Sequence, residues 1–401
     1  MQTYLLALNP TDSVSEGFLP AARRLGLHVT LLTDQPEAHR ARHPDVEVLA
    51  CDVRDHHAVI SAISERTRSE TGRAPAAVFS NSDHLQTQTA LAADYFGLPG
   101  KSWHTTLRTK DKALMRRHLA AAGADTVRSA ELAPGQDPTG TLGGVPFPCV
   151  VKPREGVASE DVFCVGNAEE LARRCDEIRA RRPGAALVVE EYLKGELHTL
   201  ETLGDGERLH VLGGFRTELS PLPYFIEERM SFVASRSPSV QDQVLRQLGA
   251  LGVGFGACHT EFVVDDGRVR LIEVNYRAIG DQCDLLLAEL LGIPLFEHVL
   301  RTHLGEALPA DLGARTDGAA RLDYPCADRA GTLAAAPGPA DLTVGDVKLT
   351  YRPVRKVGER LELHHTNRDF LGIVRAVGRQ QESVDRVVAG FLARQSWEIT
   401  P

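Results

Sequence analysis

Residues 258–277 read CHTEFVVDDGRVRLIEVNYR and hold the residue types best suited to chemistry. Asp266-Gly267 between two β-rich runs marks a hairpin, and a three-residue loop over 266–268 sets Glu261 directly opposite Glu273. The side-chain period of two then gathers Glu261, Glu273 and Asn275 on one face. Two carboxylates facing each other across a ladder repel, so the pairing implies a cation between them. A donor set of hard oxygens without Cys or His suits Mg²⁺, or Mn²⁺, shared with the phosphates of a substrate. A solvated strand face is the plainer alternative, but E-x-N beside a facing Glu is unusual on an exposed hairpin.

Three further segments could serve the same chemistry. Lys152 ends the apolar run PFPCVVKP, so it emerges at a cleft edge, where a point charge suits a phosphate oxygen. Lys112, in TKDKALMRRHL, stands at the first turn of a helix. The segment EEYLKGE, residues 190–196, leaves a strongly β-like strand and can offer backbone N–H and C=O groups to a base edge. Each has a bland counterpart: a strand-end lysine, a solvated lysine, a turn at Gly195. Substrate contacts are expected in FRTELSPLPYFIEERMSF, where Arg216 and Arg229 suit carboxylates and Glu227 or Glu228 an ammonium group. Asn81, Ser82 and Asp83 follow the fourth strand of the first domain, and loops at the carboxyl ends of parallel strands line ligand crevices.

The elements that must position these residues follow from periodicity. Strands at 4–8, 29–32, 46–50 and 77–80 alternate with helices at 15–25, 55–70 and 84–96, a pattern that predicts a parallel sheet. A helix over 109–122 is stopped by Gly123. Strands at 147–152, 162–165 and 187–192 surround a helix opened by Asn167 and Glu170 as a capping box. Paired strands at 197–203 and 208–215 and a helix after Pro238 precede the hairpin. Two helices, 281–291 and 294–304, follow it. Residues 306–341, rich in Ala, Gly, Pro and Asp, read as a connection. The tail carries strands near 347–354 and 361–364 and a helix over 382–394. The fold class is therefore an α/β parallel-sheet domain followed by two α+β subdomains and a small α+β C-terminal extension. The boundaries are 1–108, 109–186, 187–310 and 311–401.

Composition excludes other classes. The net charge is −9 and no Lys/Arg run exists, so nucleic acid is not expected as a partner. No run of 18 apolar residues predicts a membrane span, and the first strand lacks the basic segment of a secretion signal. The seven cysteines show no metal or redox spacing, which reads as reduced thiols in a cytoplasmic protein. No GxGxxG follows the first strand, so dinucleotide binding is unsupported.

In this order and spacing the motifs resemble the ATP-grasp superfamily over residues 1–310. The resemblance implies a three-domain fold that clamps ATP between two α+β units. Carried over by position, Lys112 and Lys152 resemble its phosphate-binding lysines. Glu190, Glu191, Tyr192 and Leu193 resemble its adenine hinge, and Ser159 holds the serine position of its lid loop. Glu261, Glu273 and Asn275 resemble its Mg²⁺ ligands, and Arg277 the arginine that steadies the transferring phosphate. Two departures stand out. The lid loop reads REGVASEDV, with one glycine and an acidic pair, where the family is Gly-rich. The family's G-x-E after the hinge is replaced here by Leu197, leaving Glu196, Glu201 or neither for the ribose.

The resemblance implies a carboxylate–amine ligase. A carboxylic acid attacks the γ-phosphate of ATP, and an amine displaces phosphate from the acyl phosphate. The closer likeness is to stand-alone ligases of dipeptide, antibiotic and siderophore pathways, with a small-molecule acid and amine as partners and a homodimer as the expected assembly. The C-terminal region, with RDFLGIVRAVG, resembles biotin-carboxylase-like members. Carboxylation is the runner-up, weakened by AIGDQCDLL after the arginine and by the lack of a biotin-carrier motif. A nucleotide-binding module without turnover is the alternative from another class.

Overall fold

Short apolar strands spaced by helices pair in parallel through crossovers. In the computed structural model, which describes residues 1–68, 74–138, 140, 142–313 and 317–401, this is the architecture of the first hundred residues. Strands β1 (Gln2–Leu6), β2 (His28–Thr33), β3 (Glu47–Ala50) and β4 (Pro75–Phe79) form a parallel sheet ordered β3-β2-β1-β4. Alternate residues serve opposite faces. Tyr4, Leu6 and Leu32 pack with Val59, Ile63 and Ala92 of the flanking helices, while Leu5, Leu31 and Phe79 join a larger core with Phe18 and Phe296.

A second sheet is antiparallel and small. It comprises β5 (Ser129–Leu132), β6 (Cys149–Pro153), β7 (Phe163–Val165) and β8 (Leu187–Glu191), in the order β5-β8-β6-β7. The helix Ala168–Arg181 covers it with the expected stripe Leu171, Cys175 and Ile178. Asn167 caps that helix by accepting from the Glu170 N–H at 2.9 Å. Glu170 returns its carboxylate to the Gly166 N–H, one residue earlier than a capping box requires.

The third sheet is antiparallel throughout and has nine strands. It contains β9 (Glu196–Asp205), β10 (Leu209–Leu219), β11 (Glu227–Val233), β12 (Phe255–Asp265) and β13 (Arg268–Asn275). From beyond position 310 come β14 (Ala319–Asp323), β16 (Ala340–Val344), β17 (Val347–Pro353) and β19 (Gly372–Gly378). The order is β13-β12-β9-β10-β11-β14-β19-β17-β16, so the sheet runs without a break across the 310/311 boundary. The strands β15 (Gly331–Ala335), β18 (Arg360–Leu361) and β20 (Glu398–Thr400) form a separate sheet.

Residues 306–341 are thus not a plain connection. Strand β14 lies inside the nine-stranded sheet with all five residues buried. Its composition, AARLD, carries little intrinsic β preference; pairing to β11 and β19 decides its state. Among the described residues no helix is long and apolar enough to cross a membrane. All seven cysteines are free, and five are buried, where a thiol packs as a small apolar group.

The helix expected over 109–122 is two helices, Trp103–Lys110 and Lys112–Ala121. Asp111 separates them with an extended backbone, φ −88° and ψ 106°. Its carboxylate accepts from the N–H groups of Ala113 and Leu114, both at 3.0 Å, and receives the Arg154 guanidinium. A side chain that caps one helix therefore also sets where Lys112, the next residue, begins the second. Asp111→Ala removes the cap and the ion pair together and is expected to lower the unfolding free energy by about 2 kcal/mol. Urea denaturation of both proteins measures it, and an unchanged midpoint would contradict the cap.

Candidate active site

The hairpin reaches its expected pairing by an unexpected route. Its loop has two residues, because Asp265 pairs with Arg268. Asp266 and Gly267 take φ +48° and +74°, the primed turn that matches strand twist. Such a register alone would face Glu261 to Ile272. A bulge at that point leaves Ile272 unpaired and sets Glu261 against Glu273 and His259 against Asn275. Asn275 Nδ2 then lies 3.4 Å from Glu261 Oε1. Burial pushes the Glu273 carboxyl up; Lys112 opposes this and the Glu261 charge adds to it.

His259 is part of this cluster, and the sequence analysis missed it. Its Nδ1 lies 2.8 Å from Glu201 Oε1 and its Nε2 3.3 Å from Glu261 Oε1. Glu201 also accepts from Thr199 Oγ1 at 2.8 Å. Burial works against the imidazolium, but Glu201 and then Glu261 hold it charged, up to about 10. The available signal was its place two residues before Glu261, on the same strand face. Glu201, one of the carboxylates considered for a ribose, is instead the buried partner of this histidine.

The two lysines are brought to the same cavity, Lys112 from a helix start and Lys152 from strand β6. Lys112 Nζ donates to Glu273 Oε1 at 2.9 Å and to the Gly156 carbonyl at 3.1 Å. Lys152 Nζ lies 2.7 Å from Glu190 Oε2. Arg116, also unforeseen, forks onto Glu190 through Nε at 2.8 Å and Nη2 at 3.1 Å. Glu190 is only 3% exposed. Burial alone would raise its carboxyl, but Arg116 and Lys152 pull it down to about 2. The Glu190 side chain is therefore occupied by two cations and is not free for a base edge.

The rest of the hinge is arranged differently. Glu191 pairs with Arg128 twice: its N–H donates to the Arg128 carbonyl and its carboxylate accepts the Arg128 N–H, both at 2.9 Å. The Tyr192 N–H donates to the Pro148 carbonyl. Beside Leu193, an apolar slot is lined by Val150, Leu197, Val263 and Ile272. Leu197, the residue standing where the family has glutamate, is part of that slot. Glu196 lies outside, 68% exposed at its side chain and facing Arg216 and His198. This end of β9 holds the Glu196 side chain toward Arg216, off the cavity lining where it was expected.

The lid loop 154–161 has one glycine, Gly156, and follows a glycine-like path at other residues. Ala158, Ser159 and Asp161 have φ near +57°, a region L-residues avoid unless held there. Ser159 Oγ donates to the Phe225 carbonyl at 2.8 Å. Asp161 receives Arg181 and Arg182, and Glu160 receives Arg182 and Arg368. The acidic pair that departs from the family pattern thus anchors the loop.

Asn81, Asp83 and Arg277 line the opposite wall. Asn81 Oδ1 accepts the Ala278 N–H at 3.0 Å, which fixes the segment carrying Arg277. Among the described residues Arg277 forms no ion pair; Nη1 reaches the Ala278 carbonyl at 3.0 Å. Beyond it stand Asp12, Glu227 and Asp281. Burial, then Glu261 and Asp281, push the Glu227 carboxyl up to about 8. Arg216 and Arg229 lie elsewhere. They belong to an ion-pair row with Glu218, Asp323 and Arg321 across β10, β11 and β14 and do not line the cavity. Cross-strand partners on one sheet face attract each other, which keeps both arginines out of the site.

Lys112, Lys152, Ser159, Glu190, Glu191, Tyr192, Leu193, Glu227, Glu261, Glu273, Asn275 and Arg277, with Asn81, Ser82 and Asp83, border one cavity of about 620 Å³, whereas Glu228, Glu201 and Arg116 do not. Residues 145–285 match the family model of the ATP-grasp domain. The fold of the chain is the ATP-grasp fold. The crystal structure of an L-amino acid ligase from Bacillus licheniformis has the same ATP-grasp fold, with a TM-score of 0.82 over 100% of this chain and 99% of that one at 21% identity. An uncharacterized protein of Sinorhizobium fredii is 27% identical over 419 residues, 100% of this chain and 84% of its own length. Carnosine synthase 1 of Gallus gallus is 28% identical over 325 residues; the match covers 70% of this chain but only 34% of that relative.

The His259 cluster makes a signed prediction for the ATP-grasp domain. A histidine raised from its ordinary 6.5 to about 10 contributes stability that is complete below pH 6.5 and is lost as pH rises through 10. In metal-free protein the melting temperature should exceed that of His259→Gln at pH 6.5, with the gap closing toward pH 10. A gap that stays constant would mean the ring is neutral throughout.

Proposed function

We propose that this chain is an ATP-dependent carboxylate–amine ligase that forms an amide or peptide bond through an acyl phosphate. The observation that carries the proposal is the gathering, in one cavity, of an apolar slot, the cations Lys112, Lys152 and Arg277, and the facing carboxylates Glu261 and Glu273. The slot beside Leu193 suits an adenine, whose edge the hinge backbone can meet. Lys112 and Lys152 hold phosphate oxygens. Two half-buried carboxylates with one amide are fewer ligands than a complete cage, which fits a hard cation that takes its other ligands from phosphates and water. Bound at Glu261, Glu273 and Asn275, Mg²⁺ or Mn²⁺ supplies neutralisation of phosphate charge.

The reaction follows from charge and alignment. A substrate carboxylate oxygen bonds to the γ-phosphorus while the bond to ADP breaks. Arg277 steadies the charge that develops on the transferred group. The amine nitrogen then bonds to the carbonyl carbon, the carbon–oxygen bond to phosphate breaks, and the amine loses a proton. Glu227 and Asp281, whose carboxyls burial pushes up, line the cavity where an ammonium group would favour their ionised forms before that step. In this assignment residues 1–108 and 187–310 supply most of the cavity walls, Tyr324, Val354, Asn367 and Ile373 of 311–401 complete them, and 109–186 supplies the lid. The relatives named L-amino acid ligase and carnosine synthase support small acids and amino acids as substrates, in a pathway that builds a dipeptide, amide antibiotic or siderophore.

The test is release of ADP and phosphate in the presence of Mg²⁺ across a matrix of small acids and amino acids. Release should need both an acid and an amine. Lys152→Ala should lower kcat/KM at least about 100-fold, whereas Arg216→Ala and Arg229→Ala should change it by less than about fivefold. AMP with pyrophosphate would refute the acyl phosphate. ADP release driven by bicarbonate and biotin alone would assign carboxylation instead, and ATP binding without turnover would leave a nucleotide-binding module.

A further inference from the structure

Two buried cations share one carboxylate beneath the cavity. Arg116 and Lys152 both contact Glu190, and each of the three residues is 5% exposed or less. The set therefore carries one net positive charge. Lys152 and Glu190 border the cavity, whereas Arg116 does not. The two cations hold Glu190 differently. Arg116 makes a two-bond fork to both oxygens and anchors its third nitrogen on the Leu271 carbonyl at 2.7 Å. Lys152 meets one oxygen only. A fork is the stronger and more rigid of the two arrangements.

Remove Arg116, and Lys152 with Glu190 becomes a closed neutral pair. Such a pair offers an incoming phosphate no net charge, and drawing Lys152 away would strand a buried carboxylate, which is costly. With Arg116 present, Lys152 can turn to a phosphate while Glu190 keeps both oxygens bonded.

We propose that Arg116 is a positioning residue for nucleotide binding: it holds Glu190 so that Lys152 remains the surplus cation facing the phosphates. This rests on the nucleotide reading above. Arg116 touches no substrate; it acts through the charge of the carboxylate it takes up. Its place is one helical turn after Lys112, so a single helix start, set by Asp111, delivers one cation to the cavity and another beneath it.

The experiment is calorimetric binding of MgADP to the full chain, beginning with the wild-type protein. No binding there would remove the nucleotide reading itself, before any variant is compared. Given binding, Arg116→Met should weaken it at least about tenfold, and Arg116→Lys, which keeps the charge without the fork, should stay within about threefold of wild type. The deciding variant is the double substitution Arg116→Met with Glu190→Gln. Neutralising the carboxylate restores the single positive charge, so affinity should return to within about threefold of Glu190→Gln alone. A double variant as weak as Arg116→Met, or Arg116→Lys as weak as Arg116→Met, would mean the guanidinium only supports the packing and would overturn the proposal. If Arg116→Met does not fold, comparison of Arg116→Lys with the double variant still decides it.

Discussion

Two like charges pressed together organise this molecule. The β12–β13 hairpin brings Glu261 and Glu273 face to face on a sheet that the chain then largely covers. Left alone the pair would repel, and cationic or hydrogen-bonding side chains stand directly against it. Lys112 reaches Glu273, the imidazole of His259 reaches Glu261, and Asn275 lies beside it. His259 and Asn275 come from the hairpin itself, whereas Lys112 comes from a distant helix start and constrains where that helix can sit. The residual imbalance suits a hard cation and a phosphate chain, because binding them relieves the repulsion the fold creates.

The same logic runs in reverse below the cavity, where two cations meet one carboxylate at Glu190. The two clusters are electrostatic complements: one has excess negative charge, the other excess positive charge. Lys112 links them, since it leads the helix that also carries Arg116 and it bonds Glu273 across the cavity. The acidic lid loop fits this arrangement. Glu160 and Asp161 would repel a phosphate if left unpaired, but Arg181, Arg182 and Arg368 pair with them and offset their charge. Backbone that a glycine-rich loop would supply by freedom is supplied here by anchored side chains in left-handed conformations.

Much of the candidate site was legible because it depends on local rules. Strand alternation and a hairpin turn suffice to align Glu261, Glu273 and Asn275, and a lysine at the end of an apolar strand has few places to go but a cleft edge. The expected loop length was wrong, yet the facing pair survived because a bulge at Ile272 offset the shorter turn. Arg116, Glu201 and His259 were not legible as a set. Arg116 meets Glu190 across 74 residues and His259 meets Glu201 across 58, on strands whose neighbours no local pattern reveals. Arg216 and Arg229 failed for the converse reason. Their residue type suited a carboxylate ligand, but cross-strand acids on the outer face of the sheet reached them first.

By itself the sequence determined the parallel sheet of the first domain, the hairpin with its carboxylates, and the identity of the cavity cations, because periodicity, turn chemistry and charge at strand ends act over a few residues. Only the tertiary structure decided that β14, from a segment poor in β-formers, completes a nine-stranded sheet. Only it decided which of several carboxylates are bound by arginine and lysine and which remain to face the cavity. Those outcomes depend on long-range pairing and on a shared low-dielectric interior, where the partner of a charge is set by packing of distant segments and not by its neighbours along the chain.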